Sequence, residues 1–245
     1  MTRSPEEIQV WLDNYAAIET QVIRTALSSC VSLQNNSGEN QTGFVINQNG
    51  QKYIATLTNH STAIAGIANA KNFSGTTFPV TLKGSSGYLA LYQASAVNSL
   101  SDFKWYNDPV EEGLAVYTVG DQTDTFYTLT ASYSNKDLDF SVAEGFVARV
   151  NSPLAPSWGS SITDVGPYIR HTAITNPLRN SYNRGGSFGG PLFTIKKDDA
   201  GIRYPALIGM NFYTYYTETL DPTYIGISFA ISQKDLQQAI TNIVG

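Results

Sequence analysis

Apolar residues near the start of the chain recur at the spacing of an α-helix. Ser4, Pro5 and Glu7 supply a capping serine, a first-turn proline and the acid of a capping box. The apolar side chains that follow at helical spacing are Ile8, Trp11, Leu12, Tyr15, Ile18 and Val22. We therefore predict an amphipathic helix over residues 1–26, which buries this face against the rest of the chain or against a partner.

From about residue 27 the pattern changes to short β-branched and aromatic runs, separated by Gly, Asn, Asp and Ser. The clearest runs are residues 43–46, 53–57, 88–93, 114–119, 126–132 and 140–150. An Asn-Asp-Pro and two glutamates interrupt this pattern at 105–113 and divide the strands into two groups. Ser232 and Asp235 form a second capping box, which begins a C-terminal helix. The pattern predicts an all-β protein with a helix at each end.

Composition narrows the classes of partner. The 245 residues suffice for one large β domain or two small lobes. The net charge of −5 does not favour binding to the negatively charged surface of a nucleic acid or an anionic membrane. No stretch approaches the roughly 20 apolar residues of a membrane-spanning helix. The N-terminus carries acidic residues where a signal peptide has a basic and then an apolar run. We expect no nucleic-acid or membrane partner, and synthesis in the cytoplasm.

Cysteine and histidine offer little chemistry by themselves. Cys30 is the only cysteine, so no intrachain disulfide can form, and we expect it to be a small buried hydrophobe in a reducing compartment. His171 has no Cys, Asp or Glu neighbours at metal-ligand spacing. The sequence predicts no metal site and no cofactor.

A dense glycine loop at residues 185–192, Gly-Gly-Ser-Phe-Gly-Gly-Pro-Leu, is the most informative motif. No Gly-Lys-Ser/Thr follows, and residues 191–195 have the pattern of a strand, so the loop is not a phosphate-binding loop. It resembles the nucleophile loop GxSGGPL of trypsin-like serine proteases, in which backbone amides point at the oxyanion of a tetrahedral intermediate.

Further matches in chain order resemble the Deg/HtrA-type branch of that family. They are residues 42–46 with 54–60, 88–92, 140–147, and 207–211 with 225–231. The resemblance covers residues 27–245. It implies two six-stranded antiparallel β-barrels, the first at about 27–104 and the second at about 113–231, followed by a C-terminal helix at 232–244.

Carried over position by position, the resemblance puts the catalytic triad at His60, Tyr88 and Phe188. Only the histidine matches, because the acid is replaced by tyrosine and the nucleophilic serine by phenylalanine. The resemblance therefore implies a catalytically inactive protease fold. The loop around Gly186, Phe188 and Gly189 is expected to keep an oxyanion-like arrangement of amides.

Two alternatives stay open for this site. If Phe188 is an insertion, Ser187 becomes the nucleophile of an active serine endopeptidase with His60, and Asp102 or Asp108 must replace the missing acid. The other interpretation treats His60 as a structural residue at a strand end.

An aromatic segment late in the chain is a second candidate binding surface. Its members are Phe212, Tyr213, Tyr215, Tyr216 and Tyr224. Tyrosine-rich loops make good contact surfaces and also suit a carbohydrate-binding module, whereas a strand pair with an inward aromatic face gives the same pattern.

The function expected from these features is a structural or protein-interaction role, including that of a phage virion or assembly protein. The expected partners are a protein or peptide, with a homo- or hetero-oligomer forming through the N-terminal helix. The expected location is the cytoplasm, or the virion if the chain is phage-encoded.

Overall fold

The computed structural model describes residues 19–36, 40–58, 65–121, 125–128, 131–134, 140–152, 167–173, 188–215 and 227–245. Strands dominate these segments, and a helix lies at each end. The first part comprises α1 (19–28), β1 (Cys30–Asn35), β2 (Asn40–Gln48), β3 (Gln51–Leu57), β4 (Ile67–Asn72), β5 (Thr77–Pro79), β6 (Thr81–Ser86), β7 (Leu89–Gln93) and a 3-10 helix (Ser95–Ser99).

The second part comprises β8 (Lys104–Trp105), β9 (Ala115–Asp121), β10 (Thr125–Thr128), β11 (Ala131–Ser134), β12 (Phe140–Ser152), β13 (Tyr168–His171), β14 (Pro191–Lys197), β15 (Arg203–Tyr215), β16 (Ile227–Ser232) and α2 (Gln233–Val244).

The first sheet has the strand order β5-β4-β1-β2-β3-β7-β6. Its two edge strands, β5 and β6, are consecutive in the chain and are separated only by Val80. The two edges of the sheet must therefore meet at this residue, and the sheet rolls up. Val80 is buried and donates its N–H to Ala68 O, which fixes the corner. If β5 and β6 count as one bent strand, this barrel has six strands.

The second sheet has the order β14-β9-β12-β13-β16-β15, and an additional pairing of β14 with β15 closes the ring. This barrel also has six strands, so the predicted double β-barrel is confirmed. The short strand β8, at the expected end of the first barrel, pairs with β15 in parallel and extends the second sheet instead.

Three hydrophobic clusters stabilise the barrels. There are more clusters than barrels because strands with two buried faces contribute to two clusters. Alternate residues of β3 illustrate this: Ile54 points into the first barrel, whereas Ala55 and Leu57 join a cluster between the barrels. A third cluster, which includes Val147 and Ile208, fills the second barrel. The cluster between the barrels is the largest and contains side chains from both sheets and both helices.

Both helices pack on this inter-barrel cluster. In α1, Val22 and Ala26 are buried, so this helix packs on its own chain. In α2, the predicted cap is confirmed, because Ser232 Oγ accepts the N–H of Asp235 at 3.2 Å. The predicted start of the N-terminal helix lies outside the described residues.

Two local predictions need correction. The sequence pattern predicts one strand over residues 126–132, but β10 and β11 form a hairpin with Thr128 opposite Ala131. The run contains no Gly, Pro or Asn, so the sequence carries no signal for the turn. Tyr88 lies in a turn just before β7 and not in the strand. Cys30 is fully buried, as predicted, and burial raises its pKa.

His171 on β13 is fully buried in the second barrel, where it pairs with Val147 and Ser228. Burial lowers the pKa of His171 from 6.5 to about 4. Asn211 and the Ala173 backbone oppose this shift, although neither makes a hydrogen bond of good geometry with the ring. The imidazole is therefore neutral in the folded chain.

The folded state should accordingly lose stability in acid. The pKa of His171 is lower in the folded than in the unfolded chain. The contribution of the neutral imidazole to the free energy of unfolding is therefore complete above pH 6.5 and is lost as the pH falls towards 4. The loss amounts to at most about 3 kcal/mol. Urea unfolding of the wild type and of His171→Gln between pH 7 and 4 measures it. The wild type should show the steeper decline, and parallel curves would contradict the assignment.

Candidate functional site

Segments from both barrels meet at the end of β3. Tyr88, just before β7, accepts the N–H of Thr58 through its carbonyl oxygen at 2.7 Å. On the other barrel, the glycine loop brings Gly189 against the same strand end. A Cβ atom on Gly189 would lie 2.5 Å from Thr56 Oγ1 and 2.7 Å from Thr42 O. Two of the three predicted triad segments, those of Tyr88 and Phe188, are therefore brought together here.

A buried polar network supports this end of β3. Gln41 donates from Nε2 to Thr56 Oγ1 at 2.6 Å and to Leu57 O at 2.7 Å, and Thr56 Oγ1 donates to Thr42 O at 2.7 Å. The network fixes the surface against which Gly189 packs. Sequence reasoning missed both residues. Thr56, a polar residue between Ala55 and Leu57, was an available signal, whereas Gln41 lies among polar residues at the start of β2 and carries none.

The glycine loop is held by strand β15. Gly189 donates its N–H to Asn211 O at 2.9 Å, and Asn211 donates its N–H to Gly190 O at the same distance. The Asn211 side chain donates to Thr118 Oγ1, which in turn donates to Pro191 O at 3.1 Å. Gly189 adopts a left-handed φ of 73°, which favours glycine.

This pairing bears on the expected oxyanion-like loop. That expectation concerns the amides of Gly186 and Phe188, with Gly189 as a member of the same loop, and the Gly189 amide itself donates to Asn211 O. Phe188, beside it, is only 9% exposed. Gly186 lies outside the described residues, as do Ser187 and His60.

A cluster of aromatic rings lies at Tyr88, the position where the resemblance puts the catalytic acid. The Tyr88 ring contacts Phe212 with centroids 4.6 Å apart, and Phe212 stacks on Tyr168 at 4.9 Å. Phe212 is fully buried. It therefore cannot belong to the exposed aromatic surface that was predicted for it. Its burial agrees with the alternative of an inward aromatic face.

The other aromatic candidates cannot be placed in this way. The backbones of Tyr213 and Tyr215 lie in β15, but their side chains, like the whole of Tyr216 and Tyr224, are outside the described residues.

The two substitute acids lie away from the glycine loop. Asp102 pairs with Lys52 at 2.9 Å, and Lys52 is at the opposite end of β3 from Leu57. At about 3.3 Å per residue, these strand positions are roughly 16 Å apart. Asp108 pairs with Lys196, which is near the far end of β14 from the glycine loop. Each carboxylate is thus paired with a lysine that lies at the end of β3 or β14 remote from the glycine loop.

Within the part of the chain that the structure describes, no group of three His, Cys, Asp or Glu residues could hold a metal ion. No described helix is long and apolar enough to cross a membrane.

The close approach of Gly189 predicts a specific loss of stability. Gly189→Ala adds left-handed strain and a clash with backbone and side-chain oxygens, which should cost about 3 kcal/mol. Gly201→Ala is the matched control, because Gly201 has a similar φ of 79° but has no atom within 4 Å of the position that an alanine Cβ would take. The control should therefore cost only about 1 kcal/mol. Equal losses in the free energy of unfolding for Gly189→Ala and Gly201→Ala, measured with denaturant, would contradict the close contact of Gly189 with β3.

Comparisons with known proteins give the fold a wider context. No protein-family model matches the sequence, and no curated protein matches it. Two crystal structures of the Rv3671c protease in its inactive form are similar. One, a serine-to-alanine mutant from M. tuberculosis, has a TM-score of 0.57 and 15% identity over 100% of this chain and 95% of that chain. The other has a TM-score of 0.59 and 16% identity over 94% and 96%.

A third similar structure is the HtrA-type protease AlgW with a tripeptide, with a TM-score of 0.60 and 19% identity. The match covers 92% of this chain but only 63% of AlgW. At these identities the likeness concerns the fold alone. The chain has the trypsin-like double-barrel fold of HtrA-type serine proteases.

Proposed function

We propose that this chain is a pseudoprotease: a trypsin-like fold that has lost peptide hydrolysis and has a structural or protein-interaction role. The observation that carries the proposal is the contact of the Tyr88 ring with Phe212, which in turn stacks on Tyr168, at the position where the resemblance puts the catalytic acid. Phe188 at the nucleophile position supports it further.

The chemistry of the triad explains why these residues matter. A serine nucleophile needs an imidazole base, and the base needs a carboxylate that holds its tautomer and stabilises the imidazolium. A phenyl ring at Phe188 offers no nucleophile. Tyr88 offers no carboxylate, and its neighbour Phe212 offers no hydrogen bond to a charged group. The two changes together remove both ends of the triad.

The distribution of acids weighs against the rival function, an active endopeptidase using Ser187 and His60. That function needs Asp102 or Asp108 near the glycine loop. Both are paired with lysines at remote strand positions. A base without an orienting acid would contribute little to general-base catalysis.

The residual role follows from what the fold retains. Proteases of this fold hold an extended peptide along a strand edge, and such binding does not require the triad. The low content of charged residues, 14%, suits a subunit packed within an assembly, of which a virion is one example. The partner, the oligomer through the N-terminal helix, and the cytoplasmic or virion location remain predictions.

An activity-based probe tests the loss of the nucleophile. A fluorophosphonate reacts with a serine only when a base and an oxyanion site activate it. We expect no adduct on Ser187 in intact-mass and peptide-level mass spectrometry, under conditions in which trypsin is labelled fully. Wild type, Ser187→Ala and His60→Ala should give the same background. An adduct on Ser187 that disappears in His60→Ala would overturn the proposal and establish the rival.

A further inference from the structure

A cleft of about 300 Å³ lies between α2, the turn before β7 and the start of β13. It is distinct from the glycine loop, although Tyr88 borders it. The residues that line it include Tyr88 and Tyr168, and its polar lining residues are Ser86, Asp235, Gln238 and Asn242. This volume is at the lower limit of small-molecule pockets, so it suits one long side chain rather than a large cofactor.

Hydrogen bonds along the wall run in one direction. Gln238 Nε2 donates to Asn242 Oδ1 at 3.1 Å, and Asn242 Nδ2 donates to Ser86 Oγ at 3.3 Å. Each amide therefore uses a donor within the wall. Gln238 is the first residue in this series of hydrogen bonds, and its Oε1 remains available as an acceptor.

Asp235 adds a second acceptor beside this oxygen. One of its carboxylate oxygens, Oδ2, accepts from Ser232 Oγ at 2.6 Å, which fixes the side chain and leaves Oδ1 for a ligand. Asp235 and Gln238 are three residues apart on α2, so they are neighbours on one helix face. This part of the cleft is rich in acceptors.

A guanidinium group complements this chemistry. It has five N–H donors and no acceptor, and its flat face stacks on aromatic rings. Among the described lining residues, Asp235 carries the one charged side chain, so a cation meets no repulsion from a lining lysine or arginine. The net charge of −5 further favours a basic partner.

We propose that this cleft binds an arginine side chain of a partner protein. The site is independent of the glycine loop, and it adds a defined docking contact to the proposed interaction role. Its test is separate from that of catalysis, because neither fluorophosphonate labelling nor hydrolysis reports on the cleft.

Titration of the ¹⁵N-labelled 245-residue chain with N-acetyl-arginine N-methylamide tests the site. We expect saturable shifts of the backbone amides of Gly87, Ala239 and Asn242. The capped citrulline analogue has the same shape without the charge and should bind at least fivefold more weakly. Added salt should weaken arginine binding and leave citrulline unaffected.

Two variants and one control complete the experiment. Asp235→Asn should raise Kd about fivefold, and Gln238→Ala, an exposed change that does not depend on the helix cap, should also raise it. Asp199→Asn removes an exposed acid in the distant turn between β14 and β15 and should leave Kd unchanged. The proposal is wrong if no amide shifts, if citrulline binds equally, or if Asp199→Asn weakens binding as much as Asp235→Asn. Tighter binding of free L-arginine would also contradict it, because it would identify a free amino acid as the ligand.

Discussion

The packing of one barrel against the other is the constraint on which the rest of the structure depends. Rings from both barrels form a continuous path, from Phe44 to Phe103 at 5.9 Å, on to Phe193 at 5.4 Å, and then to Tyr117 at 5.6 Å. The helices α1 and α2 pack on the same cluster. Because the interface strands bury both faces, a change in the interface must be accommodated within both barrels.

This constraint explains how a catalytic site can change while its framework stays. Gly189 packs closely against the end of β3, and its pairing with Asn211 keeps the glycine loop in place. Neither contact needs a nucleophile or an acid. In the proposed pseudoprotease, Tyr88 and Phe212 use the position of the acid for packing, which adds to the inter-barrel contact. The glycine loop is then retained because it shapes the interface.

The sequence predicted the strands, the capped C-terminal helix and the double barrel, because these depend on local periodicity and on motifs in chain order. It also predicted that the segments of Tyr88 and Phe188 lie in one region. It could not predict that the Gly189 amide is engaged with Asn211 or that Phe212 is buried, because both depend on which strands become neighbours in the ring. The hairpin of β10 and β11 was missed because no turn residue marks it. The ion pairs of Asp102 and Asp108 likewise join residues that are distant in the chain.

The most direct measurement of the central claim is cleavage of unstructured substrate by the 245-residue chain. Incubation with a proteome-derived peptide library, followed by mass spectrometry of new termini, samples many sequences at once. The account predicts the same termini from the wild type, His60→Ala and Ser187→Ala as from buffer. A consistent set of cleavages present in the wild type and absent from both variants would contradict it and restore this chain to the active proteases.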